Sequence, residues 1–441
     1  MRRFRPLLLL AAIAFPGVAP AQVAGPPIPP HPVTLSEAVT MAQRNAVVVI
    51  QAHGQVRTSA ASTRAAYGAF LPAVNLTASS TRQYANARTR IDASGQLVTI
   101  SPFPWSSTAG VSANVNLFSG GGRFFDLRAA RARESAAEVN ETAAQFTAAL
   151  DAKQQYYNVL AARESQVAAA AQLEQAEQQR RTAIARANAR VATRSDSLRA
   201  EILYRTAQLA VVDARVALET ANASLTRVVA SEVPVTAAED TSEHPGLALD
   251  DSTLRSLALN GPAVRQARAE LSAAKAAQKS AWTDYLPALN ASYSRTGSGA
   301  GNDPELVDRN FGYSGRLSLT ASLPVFDQFQ RELRVTQARV EQANAEAALR
   351  DARLAALETF TTQLGAFRSA QERVISQAAT VEAAEEDLRV QQQRYAVGAS
   401  TLLDVLTSQT QLNQARRDLI RARYDQRVAK AELETLVGRE L

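Results

Sequence analysis

The chain carries one plan twice. Phe70-Leu71-Pro72-Ala73-Val74-Asn75 returns as Tyr285-Leu286-Pro287-Ala288-Leu289-Asn290. Asn116-Leu117-Phe118-Ser119 through Arg123 returns as Pro324-Val325-Phe326-Asp327 through Arg331. From Phe118 to Ala230 the first half aligns without a gap on Phe326 to Gly438, a constant shift of about 208 positions. Each copy reads as a helix, two alternating strands, a very long heptad helix, a tight turn and a second helix. Two copies supply only four strands, too few to close a barrel, so the chain is built to complete itself with further copies.

The first residues set the compartment. Arg2, Arg3 and Arg5 precede the apolar run Leu7 to Phe15, and Ala19-Pro20-Ala21 offers small residues for cleavage before Gln22. Residues 1–21 therefore read as a secretory signal peptide, the apolar run being too short for a membrane anchor. Residues 22–33 are proline-rich and are expected to form an extended, poorly ordered lead-in. Absence of cysteine excludes disulfides, thiolate catalysis and zinc–thiolate sites. The net charge of +6 halves once the signal-peptide arginines are removed, which is no footprint for nucleic acid. No stretch of about 18 uninterrupted apolar residues follows, so the protein is periplasmic or spans the outer membrane by strands.

The first copy spans 34–230, with strands at 72–84 and 105–118 and helices at 123–190 and 197–230. The second spans 251–438, with strands at 287–297 and 311–324 and helices at 328–397 and 402–437. Between them, 231–250 reads as a linker belting the helices. In each strand apolar residues alternate with small polar ones. Val74, Leu76 and Ala78 interleave with Asn75 and Thr77; Ala109 to Leu117 interleave with Ser112 and Asn114. Leu289, Ala291 and Tyr293 interleave with Asn290 and Ser292; Tyr313 to Leu323 interleave with Arg316 and Ser318. A soluble sheet with one buried face shows the same alternation. Strand lengths, aromatic residues at the strand ends (Phe70, Phe118, Tyr285 and Phe326; Tyr84, Phe103 and Trp105) and the lack of a covering apolar segment favour lipid on one side and water on the other. Asn75, Thr77, Ser112, Asn114, Asn290, Ser292, Arg316 and Ser318 then line a lumen. An open edge is intolerable in hydrocarbon. Two protomers would make a barrel narrow enough for side chains to fill, whereas three leave a water-filled passage.

The long helices carry a coiled-coil period. Phe360, Phe367, Val374, Val381, Leu388 and Tyr395 recur every seventh position, and Val405, Leu412 and Leu419 keep that spacing on the returning helix. The first copy matches but is richer in alanine. By itself such a pair of helices also suits a periplasmic coiled-coil scaffold without transport activity. Gly398 ends one helix and Ser400 or Thr401 caps the next. Ser119 followed by three glycines lacks the Gly-Lys-Ser/Thr of a phosphate cradle. His31, His53 and His244 are too scattered for a metal site or a triad. No enzyme activity, cofactor or metal is expected.

Together the signal peptide, the duplicated Leu-Pro-Ala-x-Asn entry, Asn116-Leu117-Phe118-Ser119-Gly120-Gly121 with Arg123, and Tyr395 to Leu406 resemble the TolC-like outer-membrane efflux proteins. The resemblance runs from about Leu35 to Gly438. It implies a fold that is mainly α with a β-barrel portion: a homotrimeric, twelve-stranded outer-membrane β-barrel continued by a periplasmic α-helical coiled-coil barrel. It implies the exit duct of a tripartite efflux pump or type I secretion system in the outer membrane of a Gram-negative bacterium. Implied partners are outer-membrane lipid, a periplasmic adaptor (membrane fusion) protein and an inner-membrane transporter of RND, ABC or MFS type. Carried over by position, the adaptor-facing hairpin tips are Val191, Ala192, Ser195, Asp196, Gly398, Ala399, Ser400, Leu402, Leu403 and Asp404. The periplasmic gate falls on Arg181, Arg186, Arg190, Arg389, Gln392 and Tyr395. Arg190 stands where the second copy has Gly398, so a looser first turn is expected. With no carboxylate from Arg389 to Tyr395, and Arg180, Arg181 and Arg186 at the same level, an electropositive entrance is expected.

Overall fold

A computed structural model describes residues 30–84, 88–91, 93–100, 104–238, 250–303 and 311–441. The expected signal peptide lies outside the described residues. The first copy comprises β1 (His31–Val33), α1 (Leu35–Asn45), α2 (Val47–Gly68), β2 (Ala73–Arg82), β3 (Arg88–Ile91), β4 (Leu97–Ile100), β5 (Trp105–Ser119), α3 (Gly122–Asn188) and α4 (Arg194–Val228). After β6 (Val235–Ala237) come α5 (Asp251–Ala258), α6 (Pro262–Trp282), β7 (Ala288–Gly301), β8 (Gly312–Ser322), α7 (Gln330–Ala396) and α8 (Leu402–Val437).

The four long strands form one antiparallel sheet in the order β2-β5-β7-β8. Pro72 and Pro287 stand immediately before β2 and β7, where proline tolerates a strand start. From the sheet descend α3 and α7, each of 67 residues, on the order of 100 Å at 1.5 Å per residue. On the strand side α2 packs on α3, α3 on α6 and α6 on α7; on the far side the order is α4-α3-α8-α7. Helix α7 thus ends both rows, with α5 packed on it and on α8 midway. Among the described residues no helix is long and apolar enough to cross a membrane.

The seams differ between copies. On α3, Ala169, Ala176 and Ala183 are buried at intervals of seven, facing the buried Ala200 and Ala207 of α4. Small side chains let the two backbones approach. On α7 and α8 the seam is large: Leu388, Val405 and Leu412 cluster with Val381 and Tyr395. Midway along the helices a collar holds them together. β1 pairs in parallel with β6, and Val33, Val235 and Ala237 pack on Tyr156, Val159, Leu225 and Val229. His31–Val33 is therefore an ordered strand, correcting the expectation of a poorly ordered lead-in as far as 33. Lys153 pairs with Glu434 at 2.5 Å, and the Tyr424 hydroxyl donates to Glu164 at 2.7 Å, tying α8 to α3. Burial pushes the Tyr424 hydroxyl well above the usual tyrosine range, with the neighbouring Glu164 carboxylate acting the same way.

The copies share a backbone even where their side chains disagree. Among the described residues Arg190, Ala230, Gln328 and Phe329 are the non-glycine positions with positive φ. Shifted by the repeat they fall on Gly398, Gly438, Gly120 and Gly121, which also have positive φ. At the first hairpin turn the Arg190 N–H donates to the Ala187 carbonyl at 3.0 Å and Val191 to Arg186 at 2.9 Å. At the second, Gly398 donates to Tyr395 at 3.2 Å and Ala399 to Arg394 at 2.8 Å. This pair of bonds is the left-handed closure of a helix C-terminus. The looser first turn is not found: Arg190 is held at φ 59 and closes the helix as its glycine counterpart does. An L-residue there is strained by about 1–2 kcal/mol, partly offset by the greater freedom glycine has when unfolded. Arg190→Gly is expected to stabilise the first hairpin by about 0.5–1 kcal/mol. Urea unfolding of the detergent-solubilised protein, or slower amide exchange at Val191, checks this; a net loss of stability would contradict it.

Candidate functional site

The sheet's register gathers the expected lumen residues. Asn75 pairs with Ser112, Ser112 with Ser294 and Ser294 with Arg316. Asn114 pairs with Ser292 and Ser292 with Ser318; Asn116 pairs with Asn290 and Asn290 with Thr320. Thr77 opposes Gly110. Because side chains alternate strictly along a strand, all eight candidates share one face. The other face holds Val74, Leu76, Ala113, Val111, Tyr293, Leu317 and Leu319. Leu76 is 85% and Leu317 78% exposed, so no described residue covers this face as a soluble fold would require. One departure occurs at Leu117, where a bulge lets Phe118 rather than Leu117 oppose Leu289. Phe103, expected in the outer aromatic girdle, lies outside the described residues.

Strand-to-helix junctions are built twice from the same parts. The Arg123 guanidinium donates to the carbonyls of Ala69 and Leu117 at 3.1 and 3.0 Å and lies 4.9 Å from the Phe70 ring centre. Its counterpart Arg331 donates to Val325 at 3.2 Å and to the Asp327 carboxylate at 3.1 Å, 5.0 Å from the Tyr285 ring centre. Helix and strand ends leave carbonyls without regular partners; these arginines satisfy some of them. The sequence marked both residues only as parts of a motif.

At the far end, two capping boxes start the returning helices. Thr193 accepts from the Asp196 N–H while Asp196 accepts from the Thr193 N–H, and Thr401 and Asp404 repeat this. Thr401, not Ser400, is the cap; Ser400 bonds Gln391 and Asp404. Hydrogen bonds from Thr193 and from Thr401 hold both aspartates below the usual carboxylate range. Of the expected tip contacts, Val191 and Leu403 are exposed, as are Ser195, Gly398 and Ala399, while Ala192 is half-buried. Leu402 is a correction: it is only 6% exposed, turned into the hairpin beside the cap. Val397 and Leu198 are exposed at the tips and had no motif to announce them.

Of the gate candidates, Arg186 and Tyr395 meet. The guanidinium lies 4.5 Å from the Tyr395 ring centre, linking α3 to α7. The remainder are apart. Arg181 pairs with Glu177 on its own helix and Arg389 with Glu386, each at 2.5 Å, while Gln392 and Arg190 are exposed. Arg180 pairs with Glu201 at 3.1 Å and stacks on Tyr204. Three of the arginines at this level are thus paired with carboxylates.

A four-stranded sheet with an uncovered apolar face, continued by two hairpins about 100 Å long, defines an outer-membrane channel-tunnel. A family model described as outer membrane efflux protein matches residues 39–231 and 253–439. The chain belongs to the outer membrane efflux protein family. Protein CyaE of Bordetella pertussis is 27% identical over 358 residues, 78% of this chain and 71% of that one. Outer membrane protein TolC of Escherichia coli K12 is 24% identical over 336 residues, 71% of this chain and 67% of that one. The crystal structure of the outer membrane protein VceC from Vibrio cholerae superimposes with a TM-score of 0.75 at 18% identity, covering 92% of this chain and 96% of that one. The protein is therefore an outer-membrane exit channel of an efflux or secretion system, with a long periplasmic helical tunnel. A scaffold without transport activity is set aside, and the family is one of channels rather than enzymes.

Proposed function

We propose that three copies close into one duct and that Arg186 and Tyr395 latch its periplasmic entrance. The observation carrying the closure is a double set of unsatisfied edges. Strands β2 and β8 end the sheet, and with four antiparallel strands per copy, β8 of one protomer meets β2 of the next antiparallel. Edge helix α7 exposes Leu333, Val340, Leu354 and Ile375, all in one heptad phase. Edge helix α4 exposes Ile202, Leu209 and Val216 in another. Apolar heptad positions left in water on both edges are seams awaiting a partner. Three copies give twelve strands and a lumen lined by Asn75, Thr77, Ser112, Asn114, Asn290, Ser292, Arg316 and Ser318, wide enough for water.

In this reading an inner-membrane transporter supplies the energy and a periplasmic adaptor docks on the tips through Val191, Ser195, Val397, Gly398, Ala399 and Leu403. Cargo crosses a polar passage that does no chemistry on it.

The chain has no cysteine, so a Val216→Cys, Ile375→Cys double variant carries thiols only on the two edges, at similar heights above the tips. Oxidation in isolated outer membranes is expected to give a covalent ladder ending at three protomers. A ladder ending at two, or a mature chain that is monomeric in water without detergent, would overturn the closure.

A further inference from the structure

We propose that Arg82 and Arg295 hold phosphate groups of the outer leaflet's glycolipid against the outside of the barrel. The inference rests on the barrel reading above and adds a ligand to its lipid face. Arg82 is the last residue of β2 and pairs with Trp105. By alternation it shares the face of Val74, Leu76 and Ala78. Arg295 pairs with Val111 and Gly315 and shares the face of Leu289, Ala291 and Tyr293. Both therefore point to lipid, not to the lumen, where Arg316 stands.

Arg82 belongs to the outer end, and Arg295 to the outer part of the β7–β8 ladder. Helices α3 and α7 leave the opposite end of the sheet, and the β3–β4 hairpin extends beyond Arg82. Arg295 lies three residues below the outer start of β8 at Gly312, beneath the Tyr313 ring. An arginine on the lipid face is tolerated near an interface and strongly disfavoured at mid-membrane. The side chains reach from apolar surface to headgroups, as long cations do.

The surroundings define the ligand's charge and shape. Each guanidinium is stacked on aromatic rings: Arg82 lies 4.9 Å from the Tyr84 and 5.8 Å from the Trp105 ring centre, Arg295 5.7 Å from that of Tyr313. A guanidinium held beside a ring face keeps its N–H fork, the group that grips a phosphate with two hydrogen bonds. Neither arginine has a carboxylate partner among the described residues, and β2, β5, β7 and β8 contain no aspartate or glutamate. Cations without carboxylates on the lipid face of these four strands call for an anionic headgroup. In a closed barrel β8 abuts the next protomer's β2, so an arginine recurs on the lipid face of every second strand.

The test uses the full mature chain in detergent, offered bis-phosphorylated lipid A or the same lipid A after enzymatic dephosphorylation. Native mass spectrometry counts glycolipids retained per assembly. Wild type is expected to retain the phosphorylated form at about tenfold lower concentration. Arg82→Gln with Arg295→Gln should erase that preference, and Arg82→Lys with Arg295→Lys should restore part of it. Arg316→Gln, which removes the same charge from the opposite face, should leave the preference intact. Millimolar inorganic phosphate should not displace the lipid; displacement would show a free-anion site instead. Equal retention of both glycolipids by wild type, or an unchanged preference in the double variant that still assembles, overturns the proposal. If Arg316→Gln alone abolishes the preference, the assignment of faces fails, and with it the barrel reading rather than this ligand.

Discussion

Replacing Arg331 by methionine is expected to destabilise each protomer by about 2–4 kcal/mol, the largest single effect among the junction residues. The side chain is only 12% exposed and its partner Asp327 22%, so the pair sits at the shielded margin where β8 gives way to α7. Methionine keeps much of the volume and the contact with Tyr285. It removes the side-chain donors, leaving the Val325 carbonyl without its bond and the Asp327 carboxylate with the Arg331 backbone N–H at 3.0 Å and the Arg334 guanidinium at 4.0 Å. A carboxylate that loses the closer of its two cations in a shielded place costs more than the pair itself contributes. Arg123→Met is expected to cost less, about 1–2 kcal/mol, because its acceptors are neutral carbonyls. Urea unfolding of both variants in detergent measures this directly. Equal, small losses would show that the junction bend is held by packing on Phe70 and Tyr285 instead.

Much of this was legible because the duplication constrains two copies at once. The long helices were legible because unbroken heptad runs are bounded by glycine at Gly120 to Gly122 and at Gly398. The lumen candidates emerged from strict alternation, which the register then assembled into rows. Short-range signals misled where one copy had lost its telltale residue. Arg190, Phe329, Gln328 and Ala230 hold positive φ with no local hint, and only comparison with the glycine in the other copy reveals it. Short strands were also missed. β1 and β6 form because α3 and α4 present Tyr156, Val159, Leu225 and Val229 to them, a tertiary cause that no window of sequence contains. Leu402 was read as a tip contact by position, whereas helical phase turns it inward. Pairing of Arg180 was invisible for the same reason: it finds Glu201 only because α4 folds back beside α3.

Severing the contact between Arg186 and Tyr395 is expected to open the periplasmic entrance. The two residues lie on different hairpins, one at the end of α3 and one at the end of α7, and in the proposed trimer three such contacts hold the inner and outer coils together. A cation over a tyrosine ring contributes about 0.5–2 kcal/mol depending on how far it is desolvated. Here the guanidinium is half-buried and Tyr395 is packed against the cluster that Leu388, Val405 and Leu412 form, which supports the upper part of that range. Loss of 1–2 kcal/mol shifts an open–closed equilibrium by roughly 5- to 30-fold. Arg186→Gln in planar bilayers should therefore raise the mean single-channel conductance by bringing long-lived open states into a recording dominated by closed ones. Tyr395→Leu tests the same contact from the other side while keeping the apolar packing of the α7–α8 seam. Tyr395→Phe retains the ring's negative face and should remain near wild type, which separates a cation–ring latch from a hydroxyl hydrogen bond. The double variant Arg186→Gln, Tyr395→Leu should conduct no more than either single change, because each already removes the whole interaction. Additive increases would mean that the two side chains close the entrance independently, through other neighbours, and that their proximity in the fold does not make a latch.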